Sequence, residues 1–303
     1  MIEIKNLTIQ FNRQPPVVED MSLTVPEGGR TVILGESGSG KSVTLAAILG
    51  ILPNDAAVRG SIKIGGAEVL GLKERELRKI RGKVIGYIPQ GSGNGMNPLM
   101  TVGEQVSEPL VEHSGLKKDE ALQKAKAWME RLSLTPADKL AKAYPHTLSG
   151  GMRQRALMAM GAAGGARILL ADEPTKGLDE KRIAEVEKLL RTLDDRTLLC
   201  VSHDIRFASR IADTVCVMYG GKTVEVAAAK TFFKKPKHPY SKMLLEALPE
   251  NGLNCPGGYA PSIDKRFACA FAHRCPQASG KCLEAPKMVR AEQHYVRCHL
   301  YGA

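Results

Sequence analysis

The sequence "GESGSGKS", Gly35 to Ser42, lies between the apolar run "TVIL" (31–34) and the helix-like run "VTLAAILG" (43–50). This order predicts a buried strand, a glycine-rich loop and a helix. Glycines let the backbone turn tightly so that its N–H groups converge on phosphate groups, and the start of a helix attracts negative charge. The stretch therefore predicts a phosphate-binding loop in an α/β protein.

The same loop predicts individual contacts. Lys41 is expected to reach the outer phosphates of a nucleotide, and Ser42 to place its hydroxyl on Mg²⁺. A chance glycine-rich turn is the alternative, but Lys and Ser directly after the last glycine, between a strand and a helix, favour the binding loop. The phosphate-binding residues predicted here are Gly35, Glu36, Ser37, Gly38, Ser39, Gly40, Lys41 and Ser42.

A second apolar strand, "ARILLADEP" (166–174), ends in Asp172 and Glu173. An acidic pair at the point where a buried parallel strand stops is suited to hold a metal-bound water and to orient or deprotonate an attacking water. Asp172 is predicted for the first role and Glu173 for the second. A solvated surface pair is the alternative, and the phosphate loop upstream favours the functional interpretation.

Length and charge limit the remaining possibilities. The chain of 303 residues exceeds one typical domain, so we expect one large unit with an appendage. Its net charge of +11 suits nucleic acid, nucleotides or an acidic membrane surface without choosing among them. The start "MIEIKNLTIQF" alternates apolar and polar residues, which predicts a strand and not a signal peptide. No apolar run approaches the ~18 residues of a spanning helix, so the chain is not expected to cross a membrane.

Between the two motifs lies "LSGGMRQR", Leu148 to Arg155, and with it the chain resembles the ATP-binding subunits of ABC transporters over essentially its whole length. The resemblance implies an α/β fold, a P-loop NTPase core of the ABC ATPase type with an antiparallel β subdomain, a helical subdomain and a small Cys-rich C-terminal extension. It implies a nucleotide-binding domain at 1–230, its helical subdomain at about 91–160, a helical linker at 231–254 and a Cys-rich domain at 255–303.

The resemblance also implies that the loop binds ATP together with Mg²⁺. The magnesium ion is expected on Ser42, Gln90 and Asp172. Phe11 occupies the position at which the family stacks an aromatic ring on adenine, and a buried strand aromatic is the alternative for this residue.

Further positions match the family in catalysis and in contact between two subunits. Catalysis is expected from Glu173, His203 and Gln90, with His203 at the place of the family's contact to the terminal phosphate. Asp179 matches the loop that communicates across the dimer. In the family the signature engages ATP bound to the partner subunit, and its residues here are Leu148, Ser149, Gly150, Gly151 and Met152.

The C-terminal part resembles one branch of the family, the dipeptide, oligopeptide and nickel importers. The resemblance rests on "HPY" (238–240) with the leucine-rich run that follows it, and on "CAFAHRC" (269–275). Only eight of the 49 residues at 255–303 are Ile, Leu, Val, Phe, Met or Trp, too few for a core of their own, so a staple is expected.

Four cysteines are the predicted metal ligands: Cys269, Cys275, Cys282 and Cys298. Four thiolates can hold an iron–sulfur cluster or zinc, and the gaps of five, six and fifteen residues lack the paired CxxC form usual for zinc. Members of the resembled branch carry a four-iron cluster on such cysteines, so a [4Fe–4S] cluster is favoured and Zn²⁺ is the alternative. Cysteines that only pack the tail against the main domain are a further alternative, and Cys255 is a spare thiol in this pattern.

The resemblance implies a subunit that hydrolyses ATP to power import of di- or oligopeptides from the cytoplasmic face of the membrane. Its expected partners are a second homologous ATPase subunit, as a heterodimer or alternatively a homodimer, two permease subunits and an extracytoplasmic solute-binding protein. Nickel or a metal–chelator complex is the alternative cargo. A nucleic-acid-associated ABC ATPase is the alternative of another class, but one loop and one signature about a hundred residues apart favour transport, and no nucleic acid is expected.

Overall fold

The computed structural model describes residues 1–12, 14–91, 95–193, 195–251 and 268–302. The chain divides into two compact units, a first unit of Met1–Leu70 with Val201–Ala303 and a second unit of Gly71–Cys200. The domain boundaries at residues 230 and 254 that the sequence predicts stay a prediction.

The described strands are β1 Ile2–Phe11, β2 Val18–Val25, β3 Arg30–Leu34, β4 Ala56–Ile64, β5 Ala67–Glu68, β6 Ile85–Ile88, β7 Ile168–Asp172, β8 Thr197–Ser202, β9 Thr214–Tyr219, β10 Lys222–Ala228, β11 Met288–Ala291 and β12 His294–Arg297. The described α-helices are α1 Lys41–Leu49, α2 Glu74–Ile80, α3 Val102–Ser114, α4 Lys118–Arg131, α5 Ala137–Ala141, α6 Gly150–Ala163, α7 Glu180–Arg191, α8 Ile205–Ile211, α9 Ala229–Phe232 and α10 Pro239–Glu246.

The first unit contains an antiparallel sheet in the order β2-β1-β4-β5, as the family resemblance implies. It also contains five hydrogen-bonded strands in the order β11-β12-β10-β9-β3. Within this set β3 pairs parallel with β9, and the remaining pairs are antiparallel. The C-terminal hairpin of β11 and β12 is therefore an extension of the sheet edge that β10 would otherwise leave open.

A two-glycine turn joins β9 to β10. Gly220 and Gly221 have φ angles of 54° and 79°, which match the two-residue hairpin turns that strands with right-handed twist require. A Cβ on Gly220 would lie 2.9 Å from the Cβ of Ala270, and one on Gly221 would lie 2.7 Å from the carbonyl oxygen of Val17. Glycine is needed at both positions because the turn requires positive φ angles and because Ala270 and Val17 lie too close for a Cβ.

In the second unit β6 pairs parallel with β7, and β8 lies next to β7. Helix α6 packs directly on β6: a Cβ on Gly86 would lie 2.0 Å from the carbonyl oxygen of Gly161, and one on Gly161 would lie 2.7 Å from that of Tyr87. Two glycines thus set the distance between the signature helix and the strand. Across the described ranges of the chain, no helix has the length and apolar character needed to span a membrane.

Candidate functional site

The phosphate loop, residues 35–42, connects β3 to α1 in the first unit. Gly38 and Gly40 have φ angles of 81° and 95°, in the left-handed region that favours glycine. A Cβ on Gly35 would lie only 2.4 Å from the carbonyl oxygen of Met218. Glycine at these three positions is therefore required by the backbone path of the loop and by its closeness to β9.

The loop holds a buried positive charge beside an unsatisfied hydroxyl. The Lys41 side chain is buried, and its ammonium group donates to the carbonyl oxygens of Gly35 at 2.8 Å and Glu36 at 3.0 Å. The Ser39 hydroxyl is buried without a hydrogen-bond partner among the described residues. Because α1 begins at Lys41 with no acidic residue in its first turn, the helix start adds partial positive charge. This set of donors fits a bound phosphate group.

Two acidic residues stand at the end of β7 in the second unit. Asp172 and Glu173 are only 5 % and 7 % exposed. Glu173 has a φ angle of 46°, a left-handed conformation that is uncommon for any residue except glycine and that clusters at functional sites. The predicted catalytic carboxylate is therefore held in a restricted backbone conformation.

Sequence reasoning missed Tyr87 on β6, whose hydroxyl lies 3.5 Å from a carboxylate oxygen of Asp172. Burial first, and then the charge of Asp172 and this contact, raise the pKa of Tyr87 to about 12. The hydroxyl is therefore protonated at neutral pH and faces the carboxylate as a donor. The parallel pairing of β6 with β7 is the signal that brings the two residues together, since both lie near the carboxyl ends of their strands.

Gln154, also missed, connects the signature helix to the acidic pair. Its buried amide donates to the carbonyl oxygen of Pro174 at 3.1 Å, one residue after Glu173. Gln90, predicted for magnesium and catalysis, follows β6 and is exposed. The second unit thus brings Gln154 to the chain just after Glu173 through a contact between residues far apart in sequence.

The signature residues form the start of α6. Ser149 is the N-cap residue, and its hydroxyl accepts from the Met152 N–H at 3.3 Å. Leu148 is buried, whereas Ser149 is exposed at the helix start. A Cβ on Gly151 would meet nothing in the described chain closer than 3.8 Å, where the Arg182 side chain lies. Packing within the second unit does not require glycine at this position.

Three further predicted residues occupy the ends of elements. Asp179 caps α7, and its carboxylate accepts from the Arg182 N–H at 3.0 Å. His203 directly follows β8 and is exposed. Phe11 is the last residue of β1, opposite Ala56 on β4, and is partly buried.

Two C-terminal side chains hold Glu36, the second residue of the phosphate loop. The Glu36 N–H donates to the Tyr240 hydroxyl at 3.1 Å. One guanidinium nitrogen of Arg274 donates to both carboxylate oxygens of Glu36, at 2.9 and 3.2 Å. The guanidinium group also lies 5.9 Å from the centre of the Tyr219 ring. Neither contact on Glu36 was predicted, because the partners are 204 and 238 residues away in sequence.

The four predicted ligand cysteines line one cavity of about 320 Å³, together with His238 and Phe271 among others. Burial raises the pKa of Cys269, Cys275 and Cys298, and neighbouring cysteines of the set raise it further. Among the described residues, no three His, Cys, Asp or Glu side chains are grouped so that they could hold a metal ion. Cys255 lies outside the described residues.

A buried carboxylate attaches this C-terminal region to β10. Glu225 is fully buried and accepts from the backbone N–H groups of Lys237 and His238, each at 2.9 Å. Its carboxylate also lies 2.6 Å from Nδ1 of the buried His294 on β12. Burial lowers the pKa of His238 to about 3, so this ring is neutral and its Nδ1 accepts from the Tyr240 N–H at 3.0 Å.

Comparison with known proteins agrees with this geometry. Residues 18–176 match the family model for the ABC transporter, and residues 224–282 match the model for the C-terminal region of the oligopeptide/dipeptide transporter. The oligopeptide transport ATP-binding protein AppD of Bacillus subtilis is 36 % identical, over 99 % of this chain and 97 % of its own length. OppD of Salmonella typhimurium, with the same description, is 36 % identical over 95 % of this chain and 90 % of its own length.

Solved structures agree as well. A dimeric bacterial ABC transporter cassette, MJ0796, matches with a TM-score of 0.68 and 29 % identity over 76 % of this chain and 99 % of its own. The structure of its post-hydrolysis state bound to ADP and Pi matches with a TM-score of 0.67 and 28 % identity, over 76 % of this chain and 99 % of its own. The chain therefore belongs to the ABC transporter family, and it is an ATPase of the ABC type. The P-loop NTPase fold predicted from the sequence is confirmed.

Proposed function

We propose that this protein is the ATP-hydrolysing subunit that powers import of di- or oligopeptides. The proposal is carried by one observation, the 36 % identity to oligopeptide transport ATP-binding proteins that extends over 95 % or more of the chain. The match of residues 224–282 to the oligopeptide/dipeptide transporter model supports it. We place the protein at the cytoplasmic face of the membrane, with two permease subunits, an extracytoplasmic solute-binding protein and a second ATPase subunit, homologous or identical.

In this proposal the phosphate loop binds the ATP phosphates. Its backbone N–H groups and Lys41 contact the phosphates, and the Ser39 hydroxyl, which has no hydrogen-bond partner in the described part of the chain, supplies a further donor. When bound, Mg²⁺ neutralises charge on the phosphates, and Ser42, Gln90 and Asp172 would hold it. Phe11 stacks on adenine.

Glu173 is proposed to orient and deprotonate the attacking water. Its burial and its restricted backbone conformation support this role, since a positioned base needs a fixed direction towards the water. His203 is proposed to contact the terminal phosphate. Tyr87, as a donor to Asp172, would hold that carboxylate in a single orientation.

The signature residues and Asp179 are proposed to act on the partner ATPase subunit. Exposure of Ser149 at the start of α6 and the open space at Gly151 support a ligand approaching this helix start from outside the chain. The triphosphate of the partner would be that ligand.

The catalytic assignment is tested with Glu173→Gln. The variant should bind a fluorescent ATP analogue with the affinity of the wild type and hydrolyse ATP at least about 100-fold more slowly, because a positioned general base contributes 10²–10⁴-fold. Glu180→Gln, an exposed carboxylate at the start of α7, is the matched control and should keep the normal rate. Hydrolysis near the wild-type rate in Glu173→Gln would exclude Glu173 as the base.

The cargo is tested in proteoliposomes that contain the protein with its permease and solute-binding partners. ATP-dependent uptake of a labelled tripeptide or pentapeptide supports the proposal. Uptake of ⁶³Ni²⁺ without peptide uptake would establish the alternative cargo. Salt-dependent binding of single- or double-stranded nucleic acid, with stimulation of the ATPase, would favour the alternative class.

We further propose that Cys269, Cys275, Cys282 and Cys298 hold a [4Fe–4S] cluster, with Zn²⁺ as the alternative. Support comes from the cavity of about 320 Å³ that all four thiols line, which exceeds the space of one ion. No three described side chains are already grouped to hold a metal, so binding of the cluster would draw the thiols together. Thiolates are the ligands that both groups prefer. When bound, the group would link the four positions covalently and so stabilise the tail.

The test of the cluster is iron, sulfide and zinc analysis of anaerobically purified protein, with visible absorption as a second readout. Cys275→Ser should lose the iron, and Cys255→Ser, the spare thiol of the sequence pattern, should keep it. Zinc in place of iron would establish the alternative. Absence of both metals would show that the cysteines only pack the tail.

A further inference from the structure

The segment Cys269–Cys275, which we name the wall segment, separates two cavities of the first unit. Cys269, Phe271 and Cys275 line the cysteine cavity of about 320 Å³. Ala270 lines a second cavity of about 410 Å³, whose other walls include residues 36–39 of the phosphate loop. The wall segment therefore has one side towards the cysteines and one side towards the loop.

Two routes of contact connect the wall segment to Glu36. The direct route is the hydrogen bond of Arg274 to both carboxylate oxygens, made by a side chain that is only 9 % exposed. The second route runs through aromatic rings. The ring centres of Phe271 and Tyr240 lie 5.4 Å apart, and the Tyr240 hydroxyl accepts a hydrogen bond from the Glu36 N–H. Phe271 is itself fully buried, so a shift of the wall segment moves both partners of Glu36.

Glu36 in turn contacts the lysine of the loop. Its carbonyl oxygen accepts from the Lys41 ammonium group, while its N–H and its carboxylate are held by Tyr240 and Arg274. Backbone N–H, carbonyl and carboxylate groups of this one residue are thus all engaged, two of them by the C-terminal region. A charge-assisted contact with a largely buried arginine is the strongest of these links.

We propose that Arg274 is a positioning residue for the phosphate loop, which it controls by holding Glu36, and that it couples nucleotide binding to the state of the cysteine cavity. The inference rests on the proposed function of the loop as the ATP phosphate site. Coupling free energies are reciprocal, so whatever rigidifies the wall segment tightens nucleotide binding, and nucleotide binding protects the wall-segment cysteines. Either a metal group or packed thiols in the cavity would act through the same contacts.

The positioning role is tested by a charge-reversal cycle that measures the Kd and KM for MgATP. Arg274→Glu and Glu36→Arg should each weaken binding about tenfold, a typical coupling, and the double variant should recover most of the loss. In Arg274→Glu, KM should rise while kcat stays within about twofold, because Arg274 is not among the residues proposed to touch the reacting atoms. Arg274→Lys, which keeps the charge, should lie between the wild type and Arg274→Glu.

Arg297→Ala is the matched control. Arg297 is another largely buried arginine of the C-terminal region, and it pairs with Asp20 instead of the loop. If Arg297→Ala weakens nucleotide binding as much as Arg274→Glu does, the effect comes from general loosening of the tail and the proposal is overturned. If the Arg274 variants bind MgATP like the wild type, or if the double variant recovers nothing while thermal unfolding shows it folded, the proposal is likewise overturned.

The coupling is tested by alkylation of Cys269 and Cys275 with iodoacetamide, followed by peptide mass spectrometry, on the protein as purified. MgATP should slow alkylation several-fold in the wild type and leave the rate in Arg274→Lys less changed. Equal protection in both would overturn the role of Arg274. Lys41→Ala separates this proposal from the proposed function. If Lys41→Ala still binds MgATP, the loop is not the ATP site. If Lys41→Ala loses MgATP binding while the Arg274 variants bind MgATP like the wild type, only the coupling is refuted.

Discussion

Replacing Glu225 by Gln should loosen the attachment of the C-terminal region to β10. One carboxylate oxygen of Glu225 accepts from the Lys237 N–H and faces His294, and the other accepts from the His238 N–H. A glutamine has a single acceptor oxygen, so its NH₂ group replaces one of these two oxygens. The most favourable orientation of the glutamine amide keeps its oxygen on the Lys237 N–H and His294. It then places the NH₂ group, a donor, against the His238 N–H, which is left without an acceptor.

The expected cost follows from that one unsatisfied group. A buried N–H without an acceptor costs about 1–3 kcal/mol, which corresponds to about a 5- to 150-fold change in an opening equilibrium. The loss is local, because the affected contacts join only three elements. They connect Glu225 on β10 to His238 at the start of α10 and to His294 on β12. We therefore expect these elements to open before the unit unfolds as a whole.

Hydrogen exchange measured by mass spectrometry is the assay, on peptides that contain residues 237–240. Exchange of the His238 amide should accelerate by the factor above in Glu225→Gln. Glu292→Gln is the control, since Glu292 pairs with the Lys237 side chain from an exposed position, and it should leave exchange unchanged. Unchanged exchange in Glu225→Gln, or equal acceleration in both variants, would refute the assignment of Glu225 as the attachment point.

Two glycines of α6 give opposite predictions. Gly161→Ala should lower the free energy of unfolding, measured by urea denaturation, by about 1–3 kcal/mol, because its Cβ would lie 2.7 Å from the Tyr87 carbonyl oxygen and overpack the contact with β6; an unchanged free energy would contradict this close approach. Gly151→Ala should leave the free energy of unfolding unchanged or raise it by up to ~1 kcal/mol through helix propensity, and should lower ATPase activity strongly; normal ATPase activity would contradict the proposed contact of the signature with the partner's nucleotide.

The phosphate loop could be predicted from the sequence because its requirements are local. Positive φ angles at Gly38 and Gly40, and the placement of Lys41 at the first position of a helix, follow from a few consecutive residues. The hairpin turn at Gly220 and Gly221 is local in the same way, since two consecutive glycines with positive φ angles join β9 to β10.

The partners of the site residues could not be predicted, because they are set by strand pairing and by packing of distant segments. Tyr87 reaches Asp172 only when β6 and β7 are paired, and nothing near Arg274 in the sequence indicates Glu36. Cysteine spacing gave the ligand candidates but not their position beside the loop. Local pattern identifies a motif, and only the fold shows what holds it.

The shortage of apolar residues at 255–303 predicts that the tail needs a crosslink to stay folded, and the structure shows another attachment. Pairing of β12 with β10, where Glu225 lies opposite Val296, gives the tail a backbone partner that no count of apolar residues reveals. The His294–Glu225 contact adds a buried polar link. Strands β11 and β12 therefore have a partner in β10 whether or not the cysteine cavity holds a metal group. If the cavity holds the proposed group, its removal should loosen the wall segment and the stretch up to Cys282 while the sheet persists. The part of the tail that responds most to the cavity would then be the part that holds the phosphate loop.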